Sequence, residues 1–501
     1  MPDRGEDLYK IRLEKLKKLK ASGVDPFPSD YRRSHNSLEG IDLFTEEEER
    51  LGLGAKTTEV KLAGRLIAMR VMGKVAFLDI RDGAGTIQLQ LTNNILGEAY
   101  SILKDLDLGD FVGSKGPIFR TRTKEITQEV REICLLAKSL KTPPEKWHGI
   151  KDIEIRYRQR YLDLMSNEDV KNIFVIRSKV IKTIRDFLDT RGFIEVESPI
   201  LLPVAAGAMA RPFVTHHNAL NNDLYMRIAT ELYLKRCIIG GFDKVYELGR
   251  VFRNEGIDIK HNPEYTLLET YEAYSDYTDV MKMTEEMFST LSNKVLGDES
   301  ISWNGETIDF TKPWRRLNLR KEIQDSSGID IEELSDSAEL LQGMKKMGIQ
   351  VDENSSWGRL VDKLISETVE PRLIQPTFLI DYPKAMSPLA KEKSGNSDYV
   401  ERFEGFAGGM EIANAFTELN DPVEQRRRFQ EQEDMRKMFG NEDFDRLDED
   451  FLTALEYGMP PTGGLGIGID RIVMLLSGQQ SIKEVIMFPQ LRTKDGEMGV
   501  G

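Results

Sequence analysis

The chain has 501 residues, a length that predicts two or more domains rather than a single hydrophobic core. Hydrophobic residues make up 40% of it and charged residues 31%, which is typical of a globular protein that buries sizeable cores. The formal net charge of −15 disfavours a protein that coats nucleic acid non-specifically, because neutralising phosphates requires clustered lysine and arginine, although local basic patches remain compatible with it.

The sequence shows no membrane segment and no secretion signal. No run approaches the roughly 18 apolar residues of a membrane-spanning helix, and the first residues, MPDRGEDLYK, lack an apolar signal core. We therefore expect a cytoplasmic protein without membrane contact. Cys134 and Cys237 lie too far apart in sequence for a disulfide framework or a CxxC metal motif, so each is expected to be a buried, reduced thiol.

The first segment is basic and has apolar residues at helical spacing, including Ile11, Leu16 and Leu19. Its basic residues are Lys10, Arg12, Lys15, Lys17, Lys18 and Lys20. Two interpretations stay open, a solvated helix face or a helix resting against a phosphate backbone.

Residues from about 59 to 138 are expected to form short strands separated by glycine-bearing turns. The five strand segments are VKLAGRLIAMR, KVAFLDIRDG, TIQLQL, GDFVGSKGPIFRTR and ICLLAKSL. Five short strands at close spacing predict a small closed barrel of the OB type. Such barrels often bind single-stranded nucleic acid, but a purely structural β-domain fits the same pattern.

The domain organisation predicted from these patterns has three parts. Residues 1–145 form an N-terminal helix and barrel, 146–172 form a linker that follows Pro143-Pro144, and 173–495 form a second domain. The second domain is expected to open with an amphipathic helix over 174–190, ended by Gly192. The segment FIEVESPILLP alternates as a strand ending at prolines. An ordinary helix-to-strand unit would explain this segment equally well.

A charged hairpin is the most informative feature of the second domain. The run Arg253-Asn254-Glu255-Gly256 is followed by His261-Asn262-Pro263-Glu264-Tyr265, between segments of alternating apolar residues. An arginine, several acids and an aromatic around a glycine-bearing turn are what a nucleotide site on an antiparallel hairpin needs. The alternative is a surface hairpin laced with salt bridges.

A glycine-rich strand near the C-terminus, GGLGIGIDR, runs into an apolar helix over 472–476. Glycines let a ligand approach the backbone closely, and Arg471 at the start of the helix can meet a phosphate or stack on a base. The spacing is not that of a Rossmann fingerprint, and no P-loop exists in the chain. A structural glycine strand is the alternative.

Two carboxylates flank the pair Gly408-Gly409. In a regular strand Glu404 and Glu411 would not share a face, but the glycines can turn or bulge the chain and bring both carboxylates together. Two carboxylates plus triphosphate oxygens make a magnesium site. The sequence leaves the geometry open.

These segments resemble the signature motifs of class II aminoacyl-tRNA synthetases. The helix and strand around Ser198-Pro199 resemble the first motif, the charged hairpin the second, and the glycine strand with Arg471 the third. The resemblance covers essentially the whole chain and is to the bacterial lysyl-tRNA synthetase family, including RYRQRYLDL, ARPFVTHHNAL and RIATELYLKR. It implies an α+β fold with an N-terminal OB-fold barrel and a C-terminal antiparallel sheet flanked by helices, working as a homodimer.

The implied activity is ATP- and magnesium-dependent activation of L-lysine to lysyl-adenylate, followed by transfer to the 3' end of its tRNA. The family's lysine-binding positions correspond to Gly207, Glu231, Glu269, Tyr271, Asn414, Phe416 and Glu418. By this resemblance Glu418 and Tyr271 pair with the ε-ammonium of the substrate. Glu269 and the Gly207 carbonyl take its α-ammonium.

The resemblance also assigns the nucleotide, metal and tRNA positions. Arg253 and Arg471 are the expected catalytic residues, Arg253 bridging the substrate carboxylate and the α-phosphate. The ATP-binding positions are Arg253, Glu255, His261, Asn262, Tyr265 and Arg471, with Tyr265 stacking on adenine. Glu404 and Glu411 would hold Mg²⁺, with more than one ion per subunit. Arg65, Phe77 and Gln88 match the anticodon-reading face, although a barrel phenylalanine can also be core.

Two residues depart from the family pattern. Thr230 stands where proline is common before Glu231, which should loosen that turn slightly, and Lys260 stands where many relatives have arginine, which would turn a bidentate phosphate contact into a point charge. An aspartate- or asparagine-specific relative is a rival, but it would need a cation where Glu418 stands. A non-catalytic paralogue would be expected to lose motif residues such as Arg253, and a protein-modifying relative would be expected to lack the barrel.

Overall fold

The computed structural model describes residues 4–144, 150, 152–204, 207, 210–353, 355–439 and 447–492. Contacts divide the chain into two compact units, residues 1–149 and 150–501. Each unit has a hydrophobic core of its own.

The first unit is a β-barrel with two longer helices. Its helices are α1 (Arg4–Ala21), α2 (Ser37–Leu51) and α3 (Asn93–Leu96), and its strands are β1 (Val60–Met72), β2 (Val75–Arg81), β3 (Thr86–Thr92), β4 (Phe111–Gly116), β5 (Ile118–Arg120), β6 (Ile126–Glu129) and β7 (Glu132–Ala137). Within the described residues the strands form one sheet in the order β5-β6-β3-β2-β1-β4-β7. The prediction of an OB-type barrel is confirmed.

The expectation of five strands was wrong in its count, because Pro117 separates β4 from β5 and a further strand, β6, follows. Gln128 on β6 is buried and joins the two ends of the sheet. Its side-chain amide donates to the carbonyl oxygens of Val60 (2.9 Å) and Gly116 (3.1 Å), and its Oε1 accepts from Ser114 Oγ at 2.5 Å. A buried polar residue in a short strand gives little apolar periodicity to predict from.

The barrel core follows the alternation of β2 and β3. Inward residues such as Leu78 and Leu89 are fully buried. The intervening residues, among them Phe77 and Gln88, lie half-buried on the outer face. Phe77 is therefore not a core residue of the barrel.

Several basic residues of α1 bind within the first unit. Arg12 is buried and donates to the backbone oxygens of Ser139 and Lys141, while Lys15 pairs with Asp107 at 2.7 Å. These contacts engage part of the basic segment, so it is neither wholly solvated nor wholly free to meet phosphate.

The second unit is built on an antiparallel sheet with helices packed against it. Its helices are α4 (Ile153–Arg158), α5 (Arg160–Ser166), α6 (Glu168–Asp189), α7 (Glu231–Ile239), α8 (Tyr277–Leu296), α9 (Leu319–Ser327), α10 (Ser337–Lys346), α11 (Trp357–Leu364), α12 (Pro422–Phe439), α13 (Glu449–Glu456), α14 (Ile469–Ser477) and α15 (Ile482–Val485). Its strands are β8 (Ile194–Glu195), β9 (Leu201–Leu202), β10 (Val214–His217), β11 (Asn222–Met226), β12 (Lys244–Phe252), β13 (Glu264–Ala273), β14 (Ser300–Trp303), β15 (Glu306–Asp309), β16 (Arg315–Asn318), β17 (Thr377–Pro383), β18 (Glu392–Lys393), β19 (Asn396–Ala407), β20 (Met410–Thr417) and β21 (Thr462–Gly468). The main sheet has the order β16-β17-β19-β20-β21-β13-β12-β8 across the described residues, with β18 beside β19.

The helix predicted over 174–190 is α6, which begins six residues earlier and buries one stripe that includes Val180, Ile184 and Leu188. The continuous strand predicted for FIEVESPILLP was wrong. Only the dipeptides β8 and β9 are strands. Between them Pro199 has no N–H to donate, and the Ser198 N–H donates to Glu247 Oε2 at 3.0 Å and not to a neighbouring strand.

Residues of the expected linker belong to helices α4 and α5 and the start of α6. These helices are part of the second unit and pack against its other elements. Arg160 is fully buried and donates to Asp163 at 2.8 Å and to the backbone oxygen of Lys483 at 2.7 Å. Within the described ranges, no helix is long and apolar enough to cross a membrane.

Candidate active site

The register of the main sheet brings four side chains of the predicted lysine site onto one face, on either side of a glycine strand. Asn414 on β20, Gly466 on β21 and Glu269 on β13 form one row, and Phe416, Gly464 and Tyr271 form the next row. Directly opposed residues share a face of the sheet, so four side chains line this face while β21 contributes only glycines between them.

Gly464 is where this space is tightest. A Cβ built there would clash with Glu418 Oε1 and lie 2.8 Å from a ring carbon of Tyr271. Glycine therefore lets the Glu418 carboxylate and the Tyr271 ring meet over the strand. Gly464 therefore has a steric role within the protein, and this role alone is compatible with the structural alternative.

Helix α7 closes the pocket with further charge. Glu231 is its first residue, and its Oε1 pairs with Lys235 Nζ at 2.6 Å. The same Nζ contacts Glu418 Oε2. Gly207, held at φ +98°, has Glu231 and Leu232 beside it, with the Glu231 Cβ 3.7 Å from the place of a Gly207 Cβ. The predicted lysine-binding residues are thus brought together.

Burial dominates the electrostatics of this pocket. It raises the pKa of Glu269 to about 7, and the nearby Glu231 carboxylate adds to the rise. Burial likewise raises the pKa values of Glu418 and of Tyr271, with the neighbouring carboxylates reinforcing both. The pocket therefore favours cations, which would stabilise the ionised carboxylates.

Thr230 serves this pocket more directly than the sequence indicated. Its backbone N–H and its hydroxyl both donate to Glu269 Oε2, at 3.1 and 2.6 Å. Proline at this position could supply neither bond. Thr230 therefore stabilises the ionised form of Glu269, an effect that the departure from proline did not indicate.

The charged hairpin of β12 and β13 forms the adjoining half of the site. Phe252 pairs with Glu264, so the run from Arg253 to Pro263 is the connecting loop. The Arg253 guanidinium lies 5.5 Å from the ring centroid of Tyr265 and also lowers the pKa of Glu269. Arg253 therefore stands between the two halves of the site.

Arg471 lies in the first turn of α14, at the end of the glycine strand. Its Nη1 donates to the Glu411 backbone oxygen at 2.8 Å and to Glu411 Oε2 at 3.0 Å, and its Nη2 lies 3.3 Å from His261 Nε2. Arg253 and Arg471 both lie close enough to Tyr265 to lower the pKa of its hydroxyl, although burial raises that pKa by more.

The other predicted nucleotide residues differ in how they are held. Glu255 is exposed in the loop, and His261 is held by Asp258 at 2.8 Å. Asn262 is buried and donates to the Glu264 backbone oxygen at 2.6 Å, while its Oδ1 has no hydrogen-bond partner among the described residues. An unpartnered buried acceptor suits a ligand N–H.

A β-bulge determines whether Glu404 and Glu411 lie on the same face of the sheet. Gly408 and Gly409 turn the β19–β20 hairpin, and the register then pairs Phe406 with Glu411 but Glu404 with Asn414. The bulge shifts the alternation by one residue and puts Glu411 on the face of Glu404 and Asn414. Burial, opposed by Arg402 and reinforced by Glu411, raises the pKa of Glu404 to about 7.

Two carboxylates on one face are hard oxygen ligands of the kind that magnesium takes together with substrate oxygens, and in this structure they pair with Arg402 and Arg471. No group of three or more metal-ligating side chains was found in the described part of the chain. Glu404 is already held by Arg402 Nη2 (2.6 Å) and by the Tyr382 hydroxyl (2.7 Å).

Sequence reasoning missed Lys235 and Arg402. The i, i+4 spacing of Glu231 and Lys235 indicates a helical ion pair, but such pairs are usually exposed, so the spacing gave no sign of burial.

Lys260 binds Glu370 Oε1 (2.8 Å) and the Gly409 backbone oxygen (3.1 Å). It therefore ties the nucleotide loop to the β19–β20 turn.

In the first unit, the three predicted anticodon residues lie on outward positions of neighbouring strands. The Arg65 guanidinium lies 4.3 Å from the Phe111 ring centroid and donates to the Gly109 backbone oxygen at 3.0 Å. Gln88 Oε1 accepts from the Thr127 hydroxyl at 3.0 Å. Phe77 offers a half-buried ring on the same sheet.

Comparisons with known proteins agree with this architecture. Residues 152–492 match the family model of class II tRNA synthetases (D, K and N), and residues 60–136 match that of the OB-fold nucleic acid binding domain. The chain is 51% identical to a lysine–tRNA ligase of Dehalococcoides mccartyi over 99% of both proteins. It is 50% identical to those of Carboxydothermus hydrogenoformans and Chloroflexus aurantiacus, over 98% of this chain and 99% of each relative.

An antiparallel sheet carrying an arginine-bearing hairpin loop and a glycine strand, together with an OB-fold unit, defines a class II aminoacyl-tRNA synthetase. Within that class, the chain belongs to the lysine–tRNA ligase family.

Gly464→Ala should lower the Tm of the full chain by on the order of 1–4 °C, because an added Cβ meets Glu418 and Tyr271 and overpacking costs about 1–3 kcal/mol. Gly466→Ala is the matched control, since a Cβ there meets only the Asn414 backbone oxygen at 3.7 Å. Thermal unfolding measures both, and equal Tm values would contradict the steric role of Gly464.

Proposed function

We propose that this aminoacyl-tRNA ligase activates L-lysine with ATP and transfers the lysyl group to the 3' end of a lysine-accepting tRNA. The observation that carries the proposal is the buried cluster of Glu231, Glu269 and Glu418 over a glycine floor. An amino acid with two ammonium groups supplies the cations that such a cluster needs.

The lysine side chain would lie along Phe416 with its ε-ammonium at Glu418 and the Tyr271 hydroxyl. Glu418 Oε1 supports this placement, because it is buried and has no hydrogen-bond partner among the described residues. Glu269 and the Gly207 carbonyl would take the α-ammonium. An aspartate or asparagine substrate would instead bring an acid or an amide to Glu418, which disfavours that rival.

Arg253 is the residue we assign to the reacting groups. It lies near Glu269 and near Tyr265, so it reaches both the amino-acid half and the nucleotide half of the site. There it would bridge the substrate carboxylate and the α-phosphate and stabilise the charge that develops as a carboxylate oxygen attacks phosphorus and pyrophosphate leaves. No side chain has to act as a nucleophile, since positioning and charge stabilisation carry such transfers.

The rest of the nucleotide half would hold ATP. Tyr265 would stack on adenine, and Glu255, His261 and Asn262 would bind the base and its surroundings. Arg471 would meet the triphosphate. Glu404 and Glu411 would hold magnesium, with more than one ion per subunit, and magnesium held there would neutralise charge on the phosphate oxygens. This magnesium assignment is supported by the β19–β20 bulge, which puts the carboxylates of Glu404 and Glu411 on one face of the sheet.

We further propose that the enzyme is a homodimer. The first motif leaves apolar residues about half exposed at Ile194, Ile200 and Leu201, and Val214 on β10 is exposed as well. Exposed apolar residues of this kind mark an association surface when they lie together. Sedimentation equilibrium of the full chain distinguishes the dimer from a monomer.

A cytoplasmic site of action accords with this function in protein synthesis.

Pyrophosphate exchange with each of the twenty amino acids tests the function. The charge of the pocket predicts that L-lysine supports exchange well above the other nineteen, with dependence on MgATP. Exchange driven by aspartate or asparagine, or no exchange with any amino acid, would contradict the proposal.

Thr230→Val should shift the pH dependence of lysine activation. Lysine needs ionised Glu269, so kcat/KM for lysine should fall as the pH drops through about 7 and stay level above it. Valine removes the hydroxyl bond to the ionised carboxylate, which raises the pKa of Glu269 further and should move the acid limb upward by about one pH unit.

The measurement is kcat/KM for lysine between pH 5.5 and 8.5 at saturating MgATP. Thr270→Val, a neighbouring threonine on the opposite face of β13, is the matched control and should leave the profile in place. An unmoved limb in Thr230→Val would show that Glu269 does not govern lysine binding.

Phe77→Ala should separate tRNA charging from lysine activation. We propose that Phe77 stacks on an anticodon base, flanked by Arg65 and Gln88, and a stacking platform contributes about 1–3 kcal/mol per base. Charging should therefore lose roughly 5- to 150-fold in kcat/KM for tRNA, with exchange unchanged. Phe27→Ala, an exposed phenylalanine outside the barrel strands, is the control. Equal loss in both half-reactions would refute the anticodon role.

A further inference from the structure

Lys235 has a fully buried side chain in the amino-acid pocket, where its relative exposure is 0%. Its ammonium group bridges two elements, pairing with Glu231 Oε1 of α7 at 2.6 Å and with Glu418 Oε2 beyond the end of β20. The ring centroid of Phe416 lies 5.6 Å from the Nζ, and that of Phe451 lies 5.9 Å from it. An ammonium in such a place persists only when it is paired.

The charges of the pocket do not balance within the protein. Among the described residues, the groups that face one another are the carboxylates of Glu231, Glu269 and Glu418 and the ammonium of Lys235, with the Tyr271 hydroxyl neutral beside them. When all three carboxylates are ionised, three negative charges and one positive charge leave two negative charges uncompensated. L-Lysine brings two ammonium groups, and its carboxylate is matched by Arg253. The balance therefore closes only if Lys235 neutralises one carboxylate.

We propose that Lys235 is a positioning residue for the amino-acid substrate, a fixed counter-ion that takes up the charge of Glu231 and turns Glu418 so that its Oε1 faces the ε-ammonium. This inference rests on the proposed lysine activation. With Lys235 in place, the pocket has two negative charges for the substrate, which selects an amino acid with two ammonium groups.

The contacts of Glu418 support this arrangement. Oε2 is engaged by Lys235, and Oε1 lies over Gly464 beside the Tyr271 ring with no hydrogen-bond partner among the described residues. Lys235 opposes the effect of burial, which raises the pKa of Glu418 and favours the protonated acid. A protonated Glu418 would lose its charge-assisted bond to the substrate.

A purely structural role for Lys235, tying α7 to the segment after β20, is the competing explanation. The positioning role and the structural role predict different effects of neutralising Glu231 on the KM for lysine. If Lys235 only ties elements together, the Lys235 and Glu231 variants should be coupled in Tm and in the KM values for lysine and ATP alike, because removing one partner leaves an uncompensated buried charge and removing both relieves it. If Lys235 balances charge, then Glu231→Gln and Lys235→Met together restore the two negative charges that lysine requires.

The experiment is a double-mutant cycle of Lys235→Met, Glu231→Gln and the double variant, read by lysine-dependent pyrophosphate exchange. We expect each single variant to raise the KM for lysine on the order of 10- to 100-fold, as loss of a charged hydrogen-bond partner does, with the KM for ATP within about twofold of wild type. The double variant should bind lysine better than either single variant.

A double variant as weak as the sum of the singles, or a Lys235→Met enzyme with the wild-type KM for lysine, would overturn the proposal. Equal loss of ATP and lysine affinity would also overturn it, since that result indicates disrupted folding. If Lys235→Met does not fold, recovery in the double variant relative to Glu231→Gln still decides the question. Failure of the wild-type enzyme to exchange with lysine would instead overturn the proposed function.

Discussion

Burial of excess negative charge is the constraint on which the amino-acid site depends. Glu231, Glu269 and Glu418 are each less than 10% exposed. Carboxylates in such a place either take up protons or find cations, because leaving water costs several kcal/mol for each ion. Lys235 satisfies part of this demand and Thr230 another part. What remains is a requirement for positive charge, and this requirement defines the ligand.

The adjoining half of the site has the opposite character. Arg253 and Arg471 lie close to Tyr265, and Lys260 ties the same loop to the β19–β20 turn. An anionic nucleotide suits this half as a dicationic amino acid suits the other. Arg253 lies close to Tyr265 and lowers the pKa of Glu269, so we propose that the substrate carboxylate attacks phosphorus beside it. The sheet that carries both halves fixes their spacing through the pairing of β13 with β21.

Much of this arrangement could be predicted from the sequence. Strong alternation indicated the barrel, helical periodicity indicated α6, and the charged run around Arg253 indicated the hairpin loop, because each of these follows from local residue patterns. Details that depend on contacts between distant segments could not be predicted. The bulge that brings Glu411 to the face of Glu404 is set by strand pairing, the break at Pro199 by a bond to Glu247, and the burial of Lys235 by packing of α7 on the sheet.

Comparison of L-lysine with norleucine, which has the same carbon chain without the ε-ammonium, is the sharpest test of substrate selection by charge. A pocket whose buried acids need that ammonium should reject norleucine by on the order of 10⁴-fold in kcat/KM for pyrophosphate exchange, as sites that hydrogen-bond a polar substrate group reject analogues lacking it. Exchange with norleucine within about tenfold of that with lysine would mean that chain length and not charge selects the substrate. Glu231, Glu269 and Glu418 would then not be the residues that define the ligand.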